Sequence, residues 1–297
     1  MNQIATGDRA GASPRGVTVN PKVVAVRAGL ARGWAEIRQT LTNAQDLWNY
    51  LFFSAILLVV MFFMKGAAVP GTSFSLGTRT LPSVIGMGVA FTGMVTLAMT
   101  LAVEREDGTL LRAKAIPNGM LGYLVGKIVL VSGMVVVSQL IVVIPSLFML
   151  DGLSINWFTL VWVAVIGLVA TLPIGAVVGS LFSNPRNAGL IMLPMTGFTA
   201  ISGIFYPITS MPEWLQGVAQ VFPIYWLGLG MRSAMLPDGL RVAEIGESWR
   251  HFETLGVLVA WAVVGLLVAP MVMRRMARRE SGSSVAARRE RALQRVT

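Results

Sequence analysis

The chain has 297 residues, of which 55% are hydrophobic and only 13% are charged, and its mean hydropathy is +0.69. Soluble domains carry about 25% charged residues, so this composition predicts an all-α polytopic membrane protein. The absence of cysteine excludes disulfides and thiolate metal sites, and the single histidine, His251, excludes a multi-histidine metal centre.

The chain begins with two segments that are not expected to cross the membrane. Residues 1–21 are polar and are predicted to form a disordered cytosolic tail. Residues 22–47 are predicted to form an amphipathic helix lying in the cytosolic interface, because apolar residues recur every three or four positions. This stripe consists of Val23, Val26, Leu30, Trp34, Ile37 and Leu41. A surface helix packed on protein would show the same pattern.

Residues 48–273 are predicted to form a transmembrane domain of six helices, followed by a basic cytosolic tail at 274–297. The predicted spans are residues 48–64, 81–103, 120–150, 157–182, 188–205 and 254–273. Pro145 is expected to kink or end the third span. Every Asp and Glu falls in a predicted loop, tail or helix end, so buried charge in the spans is not expected and a proton- or sodium-driven carrier is disfavoured.

Positive charge predicts the orientation of the chain. Nineteen of the 24 Lys and Arg residues lie in the two termini, residues 104–120, residues 183–187 and the start of the third span. The positive-inside rule therefore places both termini in the cytosol. The same asymmetry explains the net charge of +10 without nucleic acid, and it would attract anionic membrane lipid.

A charged segment separates the second and third predicted spans. Six of the fourteen residues from 104 to 117 are charged, so the segment must face solvent close to the membrane. Its acids are expected at the start of a short helix, where the helix dipole favours them, and Gly108 permits a tight turn. Leu110, Leu111 and Ile116 would present an apolar face to a soluble partner. A merely solvated loop is the alternative.

The segment from Tyr206 to Met235 contains two apolar pieces that are each too short to span the membrane. Pro207, Pro212 and Pro223 break it, and aromatic residues are expected at the headgroup level. The pattern predicts a re-entrant helical hairpin that enters from the outer face between helices 5 and 6. An interfacial anchor without a mechanistic role is the alternative.

Two motifs resemble those of ABC-2 type permeases, of the daunorubicin and multidrug-resistance branch with a type V exporter-like fold. The first is Glu104-Arg105-Glu106-x-Gly108-Thr109-Leu110, followed by Ala115-x-Pro117. The second is Ile201-Ser202-Gly203-x-Phe205-x-Pro207, followed by Met211-Pro212-x-Trp214-Leu215, Pro223 and the stretch from Tyr225 to Arg232. The resemblance covers nearly the whole chain.

The resemblance implies a permease subunit in a bacterial plasma membrane that pairs with a second permease copy or a homologue and with two ABC ATPase subunits. It implies ATPase-coupling roles for Glu104, Arg105, Glu106, Asp107, Gly108, Thr109, Leu110 and Leu111. It implies an extracellular gate formed by Pro207, Pro212, Trp214, Pro223 and Tyr225. Homodimer and heterodimer both remain open.

The sequence contains no G-x-x-x-x-G-K-[ST] motif, so ATP and Mg²⁺ are expected on the partner ATPase and no cofactor on this chain. The candidate substrate path consists of Phe91, Thr92, Thr96, Met195 and Phe198. The leading function is export of a lipophilic or amphipathic drug or lipid. A lipid-modifying membrane enzyme, for which His251 is the one candidate catalytic residue, and a structural membrane partner are the alternatives.

Overall fold

A computed structural model describes residues 20–67, 75–182 and 189–279, and the elements in these ranges are helical. Short 3-10 turns connect some of the helices, and a π-helical turn, Thr92–Thr96, joins the third helix to the fourth. The helices are α1 (Pro21–Thr42), α2 (Ala44–Met64), α3 (Leu76–Phe91), α4 (Leu97–Glu106), α5 (Thr109–Lys114), α6 (Gly119–Met149), α7 (Trp157–Leu181), α8 (Met192–Ile201), α9 (Glu213–Val221), α10 (Pro223–Met235) and α11 (His251–Arg279).

Within the described ranges, four helical segments are long and apolar enough to cross a membrane: Leu76–Glu106, Gly119–Met149, Trp157–Leu181 and His251–Met276. The first joins α3, the π turn and α4 into one continuous helix of 31 residues, called the α3–α4 helix below. At 1.5 Å per residue this helix is about 46 Å long, which exceeds the hydrocarbon thickness of a bilayer. These helices confirm a multi-pass helical membrane protein.

The two other predicted spans correspond to shorter apolar helices, Ser54–Met64 and Gly189–Ile201. The count of six spans and the re-entrant arrangement of α9 and α10 therefore remain predictions.

Several predicted boundaries differ from the observed ones. Pro145 does not end the third span, because α6 continues past it to Met149. A long apolar helix in contact with neighbouring helices tolerates the loss of one backbone hydrogen bond. The first helix ends at Thr42 rather than at residue 47, since the Asn43 side chain accepts a hydrogen bond from the Gln45 N–H and begins α2.

The predicted tails and loops lie only partly within the described ranges. The predicted N-terminal tail overlaps the described chain only at Asn20 and Pro21, and Pro21 already begins α1. At the other end, α11 continues through the first residues of the predicted basic tail to Arg279. Residues 1–19, 68–74, 183–188 and 280–297 lie outside the described residues.

Small residues allow α1 to pack closely along α6. The buried face of α1 consists of Ala25, Gly29, Gly33 and Ile37. A Cβ atom on Gly33 would lie 2.6 Å from the carbonyl oxygen of Gly126, so the two backbones are almost in contact. The predicted apolar stripe shares only Ile37 with this buried face, and its Trp34 is 61% exposed. Part of the apolar stripe is therefore left free for a lipid interface.

The core of the protein lies around α10, whose residues are almost all buried between α3, α7 and α11. A Cβ atom on Gly86 of α3 would lie 2.7 Å from the Leu227 carbonyl oxygen. On the other side of the α3–α4 helix, Gly175 and Gly179 of α7 permit similar approaches to Gly93 and Ala98. These glycines therefore serve close helix packing.

We expect Gly33→Ala to separate α1 from α6 and to lower the free energy of unfolding by about 1–3 kcal/mol. The added Cβ would meet both the Gly126 carbonyl and the Val129 Cβ, which would lie 2.7 Å away. Thermal unfolding of the purified protein in detergent measures the change. The matched control is Gly256→Ala in α11, where no atom lies within 4 Å of the added Cβ. An equal response of the two variants would contradict the close packing.

Candidate functional site

Three helices meet at a buried group of charged and aromatic side chains, called the Lys127 cluster. Its members are Arg32 and Glu36 of α1, Glu104 of α4, and Tyr123 and Lys127 of α6. The Lys127 side chain is 3% exposed, and its Nζ lies 2.6 Å from Glu36 Oε2 and 2.5 Å from Glu104 Oε1. One ammonium group therefore joins the N-terminal helix to the end of the α3–α4 helix.

The remaining contacts of the Lys127 cluster complete its charge balance. Arg32 donates from Nε to Glu36 Oε1 at 2.7 Å, and the Tyr123 hydroxyl donates to Glu104 Oε2 at 2.5 Å. The guanidinium of Arg32 also lies over the Tyr123 ring, 5.6 Å from its centroid. Two cations and two carboxylates are thus paired. Removing one of them would leave a buried charge without a partner, which is costly in a low-dielectric interior.

Burial alone would raise the pKa of Glu36, but hydrogen bonds from Lys127 and Arg32 outweigh that effect and lower the pKa below its ordinary value. Glu36 therefore stays ionised within the cluster at neutral pH. The spacing of the apolar stripe in α1 places Glu36 on the far side of that helix and gives no sign that α6 covers it. Lys127 counts in the sequence only as a positive charge near the start of the third span. The contact between them depends on the packing of α1 against α6.

The predicted coupling residues do not all face outward. Glu104 belongs to the Lys127 cluster, and Arg105 donates from Nη1 to the carbonyl oxygens of Ser180 and Phe182 at 3.2 Å each. These contacts cap the C-terminal end of α7, where the helix dipole favours a cation. Leu110, which was predicted to face a partner, is buried in the core.

The outward part of the segment follows the turn at Gly108, which has a φ of 74° and separates α4 from α5. This left-handed conformation confirms the predicted tight turn, and it explains the glycine. Asp107 and Arg112 are exposed, and Ile116 is 63% exposed. Glu106, Thr109 and Leu111 are partly exposed. The exposed surface at 107–118 thus mixes charge with one apolar side chain.

The acidic residues of the charged segment do not lie at the start of a helix, so that prediction was wrong. Glu104 and Glu106 lie in the last turn of α4, where a negative charge is unfavourable, and not at the start of α5. Glu104 is stabilised there by Lys127 and Tyr123 instead. The tertiary ion pair therefore overrides the local preference.

A cavity of about 400 Å³, called the central cavity, lies beside the π turn. Its walls contain three of the predicted substrate-path residues, Phe91, Thr92 and Thr96. Uncharged polar groups from α2 and α6 join them, namely Ser54, Ser138 and Gln139. Gln139 reaches the backbone of α3 and donates to the Ile85 carbonyl oxygen at 3.2 Å. Among the described residues, the lining has no charged side chain, so it suits an apolar or amphipathic molecule.

The two other predicted path residues do not line the central cavity. Met195 is buried in the core, and Phe198 packs against Phe222 with ring centroids 3.9 Å apart. Met192, one turn earlier in α8, lines the cavity in their place. The sequence identifies α8 as apolar but does not indicate which of its faces is turned inward.

The predicted gate residues are distributed around α9 and α10. Pro212 immediately precedes α9 and Pro223 is in the first turn of α10, positions that suit proline because it has no N–H to donate. Pro207 precedes a 3-10 turn, and Trp214 is 70% exposed. Tyr225, however, is completely buried, so it cannot stand at a headgroup surface. The apolar face of α10 is turned into the core because three helices surround it.

A second buried ion pair joins Arg232 of α10 to Glu244 in the loop that follows this helix. Arg232 donates from Nε to Glu244 Oε1 at 2.7 Å and from Nη2 to Glu244 Oε2 at 3.1 Å. Its Nη1 donates to Ser83 Oγ at 2.8 Å. With the Lys127 cluster, this pair contradicts the expectation that the helices bury no charge. Each pair is neutral, which makes its burial tolerable.

The sequence matches, over residues 69–269, the model of a family described as ABC-2 family transporter protein. A comparison with curated proteins found no match. The matched range extends from before α3 into α11, so it contains most of the central-cavity lining, Glu104 and Lys127. Ser54 of α2, Glu36 and the rest of α1 lie before it.

We expect Glu36→Gln to lower the free energy of unfolding by about 1 kcal/mol near neutral pH, because it removes a charged acceptor that keeps partial access to solvent. A lowered carboxyl pKa stabilises the fold above its ordinary value of about 4.3, and that stabilisation is lost as the pH falls through the lowered pKa. The difference between wild type and variant should therefore shrink in acid.

Thermal unfolding of both proteins at about pH 7 and about pH 3 measures this change. Glu213→Gln, at an exposed position in the first turn of α9, is the matched control and should differ little from wild type at either pH. A difference for Glu36→Gln that is the same at both pH values would refute the role of its charge.

Proposed function

Because the chain belongs to the ABC-2 family of transporter proteins, a family of membrane transport subunits, we propose that it is the permease subunit of an ATP-driven exporter. Its substrate is a lipophilic or amphipathic compound, either a drug or a lipid, which moves outward from the cytosol or the inner leaflet. Members of this family normally work with ABC ATPase partners. ATP and Mg²⁺ bind to two such partner subunits, since this chain has no phosphate-binding glycine motif.

One observation carries the proposal: a single helix connects the central cavity to the exposed segment at 107–118. Thr92 and Thr96 line the cavity, and the same helix ends at Glu106. The ten residues from Thr96 to Glu106 span about 15 Å. A force applied at the exposed segment would therefore reach the cavity wall through hydrogen-bonded helix, without a flexible linker.

The π turn at Thr92–Thr96 supports a moving part at this position. A π turn contains one more residue per turn than an α-helix, and such turns are frequent at functional sites. Small shifts of the turn would change which side chains face the central cavity. Gly93 and Gly175 keep α7 close to the π turn, so a shift of the turn would also displace α7.

The lining of the central cavity supports the proposed substrate class. Its walls are mainly apolar, with hydroxyl and amide groups but no charge. Such a surface binds apolar bodies through the hydrophobic effect and orients a few polar groups by hydrogen bonds. A strongly charged substrate would lose its hydration there without gaining an ion pair.

The proposed orientation follows the positive charge, with both termini and the exposed segment in the cytosol of a bacterial cell. Two permease copies, or one copy and a homologue, would form the complete pathway. The N-terminal helix would lie along the cytosolic interface, where its exposed Trp34 contacts lipid. The Lys127 cluster would hold this helix in place against the end of α4, next to the exposed segment at 107–118.

We expect Arg112→Glu to reduce ATP hydrolysis by the complex with its cognate ABC ATPase by about tenfold, because charge reversal at a contact surface disfavours docking. Arg112 is exposed, and within the described ranges its side chain makes a local hydrogen bond to Thr109, so folding should be retained. Co-purification and the rate of ATP hydrolysis measure the effect. Arg241→Glu, an exposed position beyond α10, is the matched control. Normal docking and hydrolysis with Arg112→Glu would exclude this surface.

We expect Thr92→Phe to reduce transport while ATP hydrolysis by the complex continues, because the ring would fill the central cavity but leave the exposed segment unchanged. Uptake of a fluorescent lipophilic compound into inverted vesicles measures transport. Thr196→Phe on an exposed face of α8 is the matched control. Unaltered transport by Thr92→Phe would place the pathway elsewhere.

His251→Ala should transport normally, and its failure would favour the membrane-enzyme alternative.

A further inference from the structure

A second cavity, of about 380 Å³, lies at the first turns of the α3–α4 helix. The exposed segment at 107–118 follows the other end of this helix. We call this second cavity the Arg79 cavity. Its polar lining comprises Arg79, Thr80, Ser83, Tyr206, Arg232 and Glu244. Along the helix, Arg79 is about 20 Å from Thr92 and about 37 Å from Glu104. The Arg79 cavity is therefore separate from both the central cavity and the Lys127 cluster.

The charges in the Arg79 cavity do not balance. Glu244 is fully engaged by Arg232, which uses both Nε and Nη2 to bind its two carboxylate oxygens. Arg79 is half-buried, and among the described residues its side chain makes no hydrogen bond and no ion pair. One positive charge therefore remains uncompensated in a partly desolvated pocket. Structural arginines at such positions ordinarily pair with a carboxylate or a carbonyl group.

The groups around Arg79 suit an oxyanion. A guanidinium presents paired N–H donors that match phosphate and carboxylate oxygens. Ser83 Oγ accepts a hydrogen bond from Arg232, so its own proton is available for donation, and Thr80 adds a second hydroxyl. The Arg232–Glu244 pair fixes one wall of the Arg79 cavity, because separating two buried, paired charges is costly.

We propose that the Arg79 cavity binds an anionic phosphate group, with Arg79 as its principal ligand. The cavity volume exceeds what a lone phosphate needs, which favours a phosphate carried by a larger molecule such as an anionic lipid headgroup. A free phosphate ion offers the same chemistry. The proposed orientation of the chain would place the Arg79 cavity on the outer face of the membrane. Only this location rests on the proposed function.

The test measures the unfolding temperature of the purified protein in neutral detergent during titration with short-chain phosphatidylglycerol. Diacylglycerol of the same chain length, which has no phosphate group, is the control, and inorganic phosphate at constant ionic strength forms a third series. We expect phosphatidylglycerol to stabilise wild type in a saturable manner, and Arg79→Gln to weaken the apparent affinity by about tenfold or more. Arg241→Gln removes an exposed cation close in sequence to Glu244, and this variant should behave as wild type.

Stabilisation by inorganic phosphate that reaches the same size would identify a free anion as the ligand, and stabilisation by phosphatidylglycerol alone would identify a headgroup. Lipid bound at the basic end of α11 is common to all variants and does not change the comparison. An equal affinity of Arg79→Gln and wild type, or equal stabilisation by diacylglycerol, would overturn the proposal.

If Arg79→Gln does not fold, Arg79→Lys decides the question. Lysine keeps the charge but lacks the paired donors, so a measurable fall in affinity supports the site and an unchanged affinity overturns it. Binding in detergent requires neither an ATPase nor a membrane orientation. A failure of the transport proposal, seen as normal hydrolysis by Arg112→Glu or normal transport by Thr92→Phe, is therefore distinguishable from a failure of this one.

Discussion

The ammonium group of Lys127, held between Glu36 and Glu104, is the contact on which the packing of α1, α4 and α6 depends. It joins three helices that approach one another from separate parts of the chain. Removing one partner of a fully buried pair typically costs about 3–5 kcal/mol. The expected cost at Glu36 is smaller, because Glu36 keeps partial access to solvent and Lys127 keeps Glu104. The close glycine packing of α1 on α6 brings Glu36 within reach, and the ion pair in turn fixes the end of the α3–α4 helix. Packing and charge therefore support each other.

The same helix carries the other functional features. Its first turns contribute Arg79 and Ser83, its π turn lines the central cavity, and its last turn supplies Glu104. An α-helix is stiff along its axis because each turn is hydrogen-bonded to the next. The proposed docking segment and the proposed substrate cavity are thus connected by one element. Under the proposed function, this connection would let a short charged segment act on a distant cavity.

Local chemistry made part of the candidate site predictable. Gly108 marks a turn that needs positive φ, and its conformation confirms this. The prolines at 212 and 223 mark helix starts because proline lacks an N–H and suits a first turn. The glycines of α3 and α7 mark close helix contacts, and the distances at Gly86 and Gly175 agree. In each case the residue type itself restricts the backbone, so no knowledge of distant neighbours is needed.

The sequence by itself determined that this is a helical membrane protein with a charged segment between two spans, because apolar length and charge density are properties of the chain alone. Only the tertiary structure decided which charges are buried. Glu36 and Lys127 are 91 residues apart, and periodicity within α1 placed Glu36 on the solvent side. The same limit explains Tyr225, Met195 and Leu110, whose exposure depends on which neighbouring helix covers them. Periodicity describes one helix at a time, whereas burial and ion pairing depend on contacts between helices.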